Sequence, residues 1–457
     1  MKRKRPDPIQ HDAFAPPKLR GHRTANQRGA SEKSLHAISL FSSAGIGELG
    51  IEAAGIKTVC ASEIVPYRVG LYRENFPQTP MVEGDIWKYR DQIVETAEAS
   101  LSGKELFLVY ATPPCQGMSS NGLGRLKFEE GRKRDISGDP RNRLVIPALD
   151  VIKRLRPRWV LFENVPGMRF TEITDEDGRR VKILDYIAAQ LGSDYVGGGE
   201  VVACEDFGVP QRRKRLITMF TRDHHAAAMF RELGGSFISR TLFEPRVTLR
   251  DAVHDLPPLE ATAGKSQRLD FSPDHYVNVI EERKLWWIFH TPEGETAYNN
   301  QCVNPQCLYQ LNALHRDGVT QGRATSSKTT PVYCERCGEL LPRPSVLQED
   351  GTYRLLKGFH SAYRRMKWDE PARTLTQNFI YEASDNKIHP SQNRVLSVHE
   401  ALIVQTVSRY HYRFDIAGAR ISNARIAEVL GESVPPYLIE KLCRWIISIS
   451  EPSAATT

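Results

Sequence analysis

One strand–loop–helix junction constrains this chain more than any other feature. Ala37-Ile-Ser-Leu-Phe41 is a short apolar run that passes directly into Ser42-Ser-Ala-Gly45-Ile46-Gly47-Glu-Leu-Gly50. The glycines have G-x-G-x-x-G spacing, which lets a ligand approach the backbone at a helix N-terminus. A second short run, Thr58–Ser62, ends at Glu63, 18 residues after Gly45, where a carboxylate can hold a ribose diol. S-adenosylmethionine and a dinucleotide both fit such a loop, and a glycine turn without a ligand is the third reading.

Further short apolar runs follow at Leu106–Tyr110, Trp159–Phe162 and Arg215–Phe220, with helical spacing over Leu144–Leu155 and a helix opened by Pro66 that reaches about Asn75. Strands alternating with helices predict an α/β fold with a mostly parallel, Rossmann-like sheet. At 457 residues the chain is long enough for two or three domains. The segment after about residue 225 is irregular and rich in turns, and helical patterns return at Ser422–Leu430 and Pro436–Ile447. The expected division is a basic tail over 1–34, a catalytic domain of 35–225 and 390–450, a smaller inserted domain of 226–389, and a tail over 451–457. No apolar run reaches the roughly 18–20 residues of a membrane span, and no secretory leader is recognisable, so the expected location is the cytoplasm.

The net charge of +7 is concentrated at the start, where residues 1–34 hold nine Lys/Arg against three Asp/Glu and four prolines. This composition predicts a disordered arm, either a solvated tail or a mobile contact to phosphates. Of eight cysteines, Cys60, Cys115, Cys204 and Cys443 stand alone. Cys302 and Cys307 have four residues between them, Cys334 and Cys337 have two, and 26 residues separate the pairs. That pattern predicts a structural zinc site with four thiolate ligands and no open position. Nearby Trp286, Trp287, His290 and Tyr298 read as core more readily than as partner-facing groups.

Ala111-Thr-Pro113-Pro-Cys115-Gln116-Gly-Met-Ser119 leaves a strand at the edge where α/β enzymes place their chemistry. The two prolines stiffen the turn that presents Cys115 as a nucleophile. Here the chain resembles the cytosine-C5 DNA methyltransferase family, with motifs in the family's order across most of its length. Phe41-Ser42-Ser-Ala-Gly45-Ile46-Gly47 resembles the cofactor loop, Glu63-Ile64 the ribose-binding acid and its neighbour, and Gly84-Asp85-Ile86 the adenine-binding segment. Pro113-Pro-Cys115-Gln116 is similar to the catalytic loop, Glu163-Asn-Val-Pro-Gly to the catalytic acid motif, and Gln211-Arg-Arg213-Lys-Arg215 to the paired-arginine strand. Trp368–Thr376 and Arg394–Glu400 resemble the segment after the recognition domain, and Gly431-Glu-Ser433-Val434-Pro the last cofactor motif.

The resemblance implies methyl transfer from S-adenosylmethionine to carbon 5 of cytosine in a specific duplex DNA sequence. Cys115 would add to carbon 6. Glu163, kept neutral by burial, would donate to ring nitrogen 3. Arg213 and Arg215, two apart and so expected on one face of a strand, would contact the base or favour the thiolate. The base must leave the stack to be reached. The basic, glycine-rich segment Asn121–Arg143 would close over DNA, with Gln116, Ser119, Arg125 and Arg141 as DNA contacts. The expected partners are double-stranded DNA and proteins of a restriction or phage-defence system, with the enzyme acting as a monomer. Two positions depart from the family pattern: Glu432 replaces an asparagine in the last cofactor motif, and Met118 a phenylalanine after the cysteine. The alternatives are a transfer-RNA methyltransferase, a catalytically silent DNA-binding relative, and an oxidoreductase supported by the glycine loop alone.

Overall fold

The computed structural model describes residues 34–114, 139–320 and 323–450. The expected tails at 1–34 and 451–457 lie outside it, apart from Ser34. Seven strands form the central sheet: β1 (Leu35–Leu40), β2 (Ile56–Glu63), β3 (Met81–Glu83), β4 (Leu108–Ala111), β5 (Trp159–Asn164), β6 (Val196–Ala203) and β7 (Lys214–Thr221). Their order is β3-β2-β1-β4-β5-β7-β6. The first five pair in parallel, and β7 runs antiparallel to both β5 and β6. The sheet is therefore mostly parallel, as the alternating pattern predicts. The ten helices used below are α1 (Ile46–Ala53), α2 (Pro66–Asn75), α3 (Ile86–Leu101), α4 (Val145–Leu155), α5 (Ile183–Leu191), α6 (His224–Glu232), α7 (Glu282–Phe289), α8 (Val398–Val404), α9 (Asn423–Glu432) and α10 (Pro436–Ser450).

The strands are apolar on both faces because helices cover both faces. The strand period of two assigns each side chain to a side. Ile38, Leu40, Val109, Ala111, Val160 and Phe162 join the core under α3, α4 and α5. Ala37, Leu108, Tyr110, Trp159 and Leu161 join the opposite core with α10 and the end of α1. A third core joins Ala44, Leu49, Leu71 and Tyr72 to residues of 366–430. The C-terminal segment thus returns to the first strands, and from Leu35 onward the contacts define one unit. Among the described residues, no helix is long and apolar enough to cross a membrane.

Two packing details carry predictions. Gly50 on α1 faces the start of α10: a Cβ there would lie 2.2 Å from the carbonyl oxygen of Pro436 and 2.7 Å from the amide nitrogen of Glu440. Both neighbours are backbone, so Gly50→Ala must push two helices apart. The expected loss is about 1–3 kcal/mol, measured by chemical denaturation.

Arg394 and Glu400 form a buried bidentate pair, with both N–O distances 2.7 Å. The same carboxylate accepts from the backbone of Ser397, and Ser397 Oγ accepts from Glu400 N, closing the capping box that starts α8. Burial alone would raise this carboxyl; the Arg394 guanidinium outweighs it and leaves Glu400 at about 2. The folded value lies below the unfolded one, so the stabilisation is present above about pH 4.5 and is lost as pH falls toward 2. About 3 kcal/mol of acid-sensitive stability is expected from this group. Denaturation at pH 6 and pH 3 should show about 2 kcal/mol of it in the native chain and less in Glu400→Gln.

Candidate active site

Strands β1, β2, β3, β4 and β5 all end at one edge of the sheet, and β1 and β4 are neighbours although the chain departs in opposite directions from them. This is the switch point at which open α/β sheets receive ligands. After β1 the chain turns sharply: Phe41, Ser43 and Gly45 have φ of 59°, 48° and 85°. Two non-glycine residues in the left-handed region need support. Glu63 at the end of β2 supplies it, accepting from the backbone of Ser43 at 2.8 Å, Ile64 at 2.9 Å and Val65 at 2.8 Å. Ser42 Oγ donates to the carbonyl of Ser39.

The loop glycines are required by packing. A Cβ on Gly45 would lie 2.4 Å from the Phe76 ring, and one on Gly47 would lie 2.6 Å from the Tyr110 hydroxyl. Ile46 is buried beneath the loop, whereas Ile64 beside Glu63 is 58% exposed and offers a flat apolar surface. Gly84 N donates to the carbonyl of Glu63 at 2.9 Å, which brings in Asp85. Asp85 caps α3 by accepting from Trp87 N, and Ile86 is buried. These residues, from Phe41 to Ile86, therefore gather around three strand ends.

The chemistry-bearing half adjoins this loop. Thr112, leaving β4, donates from its backbone to the carbonyl of Leu40 at 3.1 Å and from Oγ1 to the carbonyl of Phe41 at 2.8 Å. Asn164 at the end of β5 donates from Nδ2 to the carbonyl of Pro113 at 2.9 Å and accepts from Val165 N at 2.8 Å. The turn that leads into Cys115 is thus fixed to the strand that carries Glu163. Cys115, Gln116, Ser119 and Arg125 lie outside the described residues, as do Met118 and most of Asn121–Arg143. Arg141 is described, paired with Asp139 at 2.6 Å ahead of α4.

Glu163 is buried, and its Oε1 lies 2.6 Å from Nε of Arg215. The contact is an ion pair whose N–H is not aligned on the oxygen, so Oε1 has no hydrogen-bond partner. A buried carboxylate oxygen with unused bonding capacity has room for a donor or acceptor on a bound base.

Arg213 is held by a different set of groups from Arg215. Gln211–Arg212 pair in parallel with Ala372–Arg373, β7 begins at Lys214, and between them the Arg213 carbonyl accepts from Cys204 N at 2.8 Å. The Arg213 guanidinium is buried and donates to the carbonyls of Leu375 at 2.9 Å, Gly431 at 2.9 Å and Ser433 at 2.6 Å.

Two residues not singled out in the sequence complete this junction. Gln211 accepts from Leu375 N at 2.9 Å and donates to Gln405 Oε1 at 2.7 Å. Gln405 donates to the carbonyl of Ser433 at 2.8 Å and to its Oγ at 2.9 Å. Gln211 opens the Gln-Arg-Arg motif and was legible there; Gln405 carries no sequence signal. Val434 is buried beside Ser433. Glu432 is held by this chain's own groups: Arg68 on α2 at 2.5 Å and Gln377, with Arg68 also reaching Glu428 at 2.6 Å. Burial raises its carboxyl above the usual range. Here the replaced asparagine has become a tie between α9 and α2.

Away from this edge, the sulfurs of Cys302, Cys307, Cys334 and Cys337 all lie within 4.8 Å of one another. Trp287 and Tyr298 near them are buried, in agreement with the core reading, and Trp286 packs half-buried against them.

Comparison with known proteins gives this geometry its context. Residues 35–448 match the family model described as C-5 cytosine-specific DNA methylase. Type II methyltransferase M1.HgaI of Avibacterium volantium is 30% identical, over 91% of this chain and 99% of its own length. Type II methyltransferase M.AgeI of Thalassovita gelatinovora is 25% identical, over 88% and 97%. A solved structure described as a candidate DNA modification methyltransferase encoded within an E. coli prophage shares the fold, with a TM-score of 0.51 at 20% identity over 91% of this chain and 99% of that one. With a family model matched from the first strand almost to the end of the last helix, the chain belongs to the C-5 cytosine-specific DNA methylases.

Proposed function

We propose that this chain methylates carbon 5 of cytosine in a specific duplex DNA sequence, using S-adenosylmethionine and a transient bond from Cys115. The observation that carries the reading is the buried, unsatisfied Oε1 of Glu163 beside Arg215, one strand away from the turn that Asn164 fixes at Pro113. The residues at the glycine loop fit the cofactor: a carboxylate at a strand end for a ribose diol, exposed Ile64 for a flat ring, and Asp85 next to it. When bound, S-adenosylmethionine supplies an electrophilic methyl group.

The remaining steps fall to the protein. Carbon 6 is inaccessible inside a duplex, so the cytosine is rotated out of the stack. The Cys115 thiolate adds to carbon 6 while Glu163 delivers a proton to ring nitrogen 3. The 5,6 double bond becomes an enamine whose carbon 5 accepts the methyl group. The proton on carbon 5 then leaves to solvent, its bonding pair restores the 5,6 double bond as the thiolate is expelled, and the Glu163 carboxylate takes back the proton from ring nitrogen 3. Arg215 holds the Glu163 carboxyl and faces the ring's carbonyl oxygen. Arg213 acts at one remove, by positioning Ser433 and Val434.

In this reading residues 35–225 and 390–450 form the catalytic domain, and 226–389 form the target-recognition domain with a structural zinc at the four thiols. The arm before residue 35 and the segment 121–143, with Gln116, Ser119, Arg125 and Arg141, would touch DNA. The names of the Type II relatives support a role as the modification enzyme of a restriction system. In this reading the enzyme acts as a monomer on DNA in the cytoplasm.

Transfer of tritiated methyl groups from S-adenosylmethionine to duplex DNA and to transfer RNA tests the substrate. Incorporation into duplex DNA is expected. Incorporation into transfer RNA alone would select the RNA-modifying alternative, and none into either would select a silent relative. Glu163→Gln should lower kcat by about 10²–10⁴-fold, the usual contribution of a positioned proton donor, with S-adenosylmethionine affinity retained in calorimetry.

A further inference from the structure

We infer that a zinc ion bound by Cys302, Cys307, Cys334 and Cys337 is the folding core of segment 298–345, and that it orders the DNA-recognition half without supporting the cofactor half. The recognition role rests on the function proposed above; the metal site does not.

The sulfurs pair across the two segments, Cys302 with Cys337 at 3.7 Å and Cys307 with Cys334 at 3.9 Å. A disulfide would need about 2.05 Å. Zinc–sulfur bonds of about 2.3 Å place the corners of a tetrahedron about 3.8 Å apart, which matches both separations. The two segments also share a shape. The residue after the second cysteine of each pair is left-handed, Leu308 at φ 45° and Gly338 at φ 76°. In each, an N–H past the turn reaches back to a carbonyl, Leu308 to Asn304 and Gly338 to Cys334. Leucine in this region is disfavoured, so the turn at Cys307 is held by something outside itself.

Apolar burial immediately around the sulfurs is small. Around the sulfurs only Leu341 is fully buried, with Tyr309 partly so. A cluster that small needs a metal to fold. The cluster stands apart from the two cores that cover the central sheet. It is continued by polar ties instead. Buried Arg343 donates to the carbonyls of Asn300 at 2.7 Å, Ala313 at 2.9 Å and Pro331 at 2.9 Å. Asn312 accepts from Glu335 N at 2.9 Å, joining the two cysteine turns. Loss of the metal should release these ties together and leave the glycine-loop half folded.

The test uses the full chain. Elemental analysis should find one zinc per native chain and none in a Cys334→Ser, Cys337→Ser double variant. Cobalt substitution should give the visible bands of a tetrahedral tetrathiolate. In the double variant, hydrogen exchange over 298–345 should accelerate by at least about tenfold, as for local unfolding, while exchange over 35–111 and S-adenosylmethionine affinity stay within about twofold. Methylation of plasmid DNA should be lost in the same variant. A native chain without metal, or unchanged exchange over 298–345, overturns the site. Accelerated exchange throughout the chain, or plasmid methylation that survives metal loss, overturns the separate recognition role. A zinc-loaded native chain that does not bind S-adenosylmethionine would leave the metal site standing and sink the methyltransferase reading.

Discussion

Cys115→Ser should lose methyl transfer by at least about 10⁴-fold while keeping the affinity of the native chain for both S-adenosylmethionine and DNA. A serine hydroxyl at neutral pH is a far weaker nucleophile than a thiol. Binding survives because the glycine-loop contacts run through Ser43, Glu63 and Gly84, none of which depends on the sulfur. DNA in which 5-fluorocytosine replaces cytosine sharpens the test. Fluorine at carbon 5 cannot leave as a proton, so the adduct is trapped after methyl transfer. The native chain should migrate as a covalent complex on a denaturing gel, and the serine variant should not. A serine variant of near-native rate would move the nucleophile elsewhere.

Arg213→Ala should cost roughly 3–5 kcal/mol of stability, because three buried carbonyls lose one donor and a large side chain leaves a cavity. Those carbonyls belong to Leu375, Gly431 and Ser433, so the damage should centre where the end of α9 meets the 372–376 strand segment. Lysine offers a single ammonium where a fork is needed, so Arg213→Lys should restore only part of the loss. The neighbouring Arg215→Ala should behave differently. Arg215 pairs with Glu163 at the sheet edge, so its removal should lower kcat with a smaller effect on folding. Denaturation midpoints and steady-state kinetics on the three variants separate the positioning role of Arg213 from the site role of Arg215. Equal stability losses for Arg213→Ala and Arg215→Ala would contradict the distinction.

Much of this was legible in the residues. The alternation of short apolar runs with helices predicted a parallel sheet, and the runs ending at Phe41, Glu63, Tyr110 and Phe162 put the motifs that follow them on one edge without knowledge of any contact. Helix α2 begins at Pro66 as its proline predicts. Other elements escaped. Strand β3 has only three residues, too few for a periodic signal, and the glycine-rich start of β6 hides a strand edge. The partners of Arg213 could not be read because they are the carbonyls of Leu375, Gly431 and Ser433, far along the chain. Glu432 looked like a defect in a motif, and only Arg68 and Gln377, distant in sequence, give it a role. Local pattern reveals which residues carry chemistry; long-range partners decide which of them face it.

Bisulfite sequencing of DNA from cells that express the native chain or Cys115→Ser tests the central claim most directly. The account predicts protected cytosines at one fixed sequence with the native chain and none with the serine variant. No protected cytosines with the native chain, or the same pattern with Cys115→Ser, would contradict it.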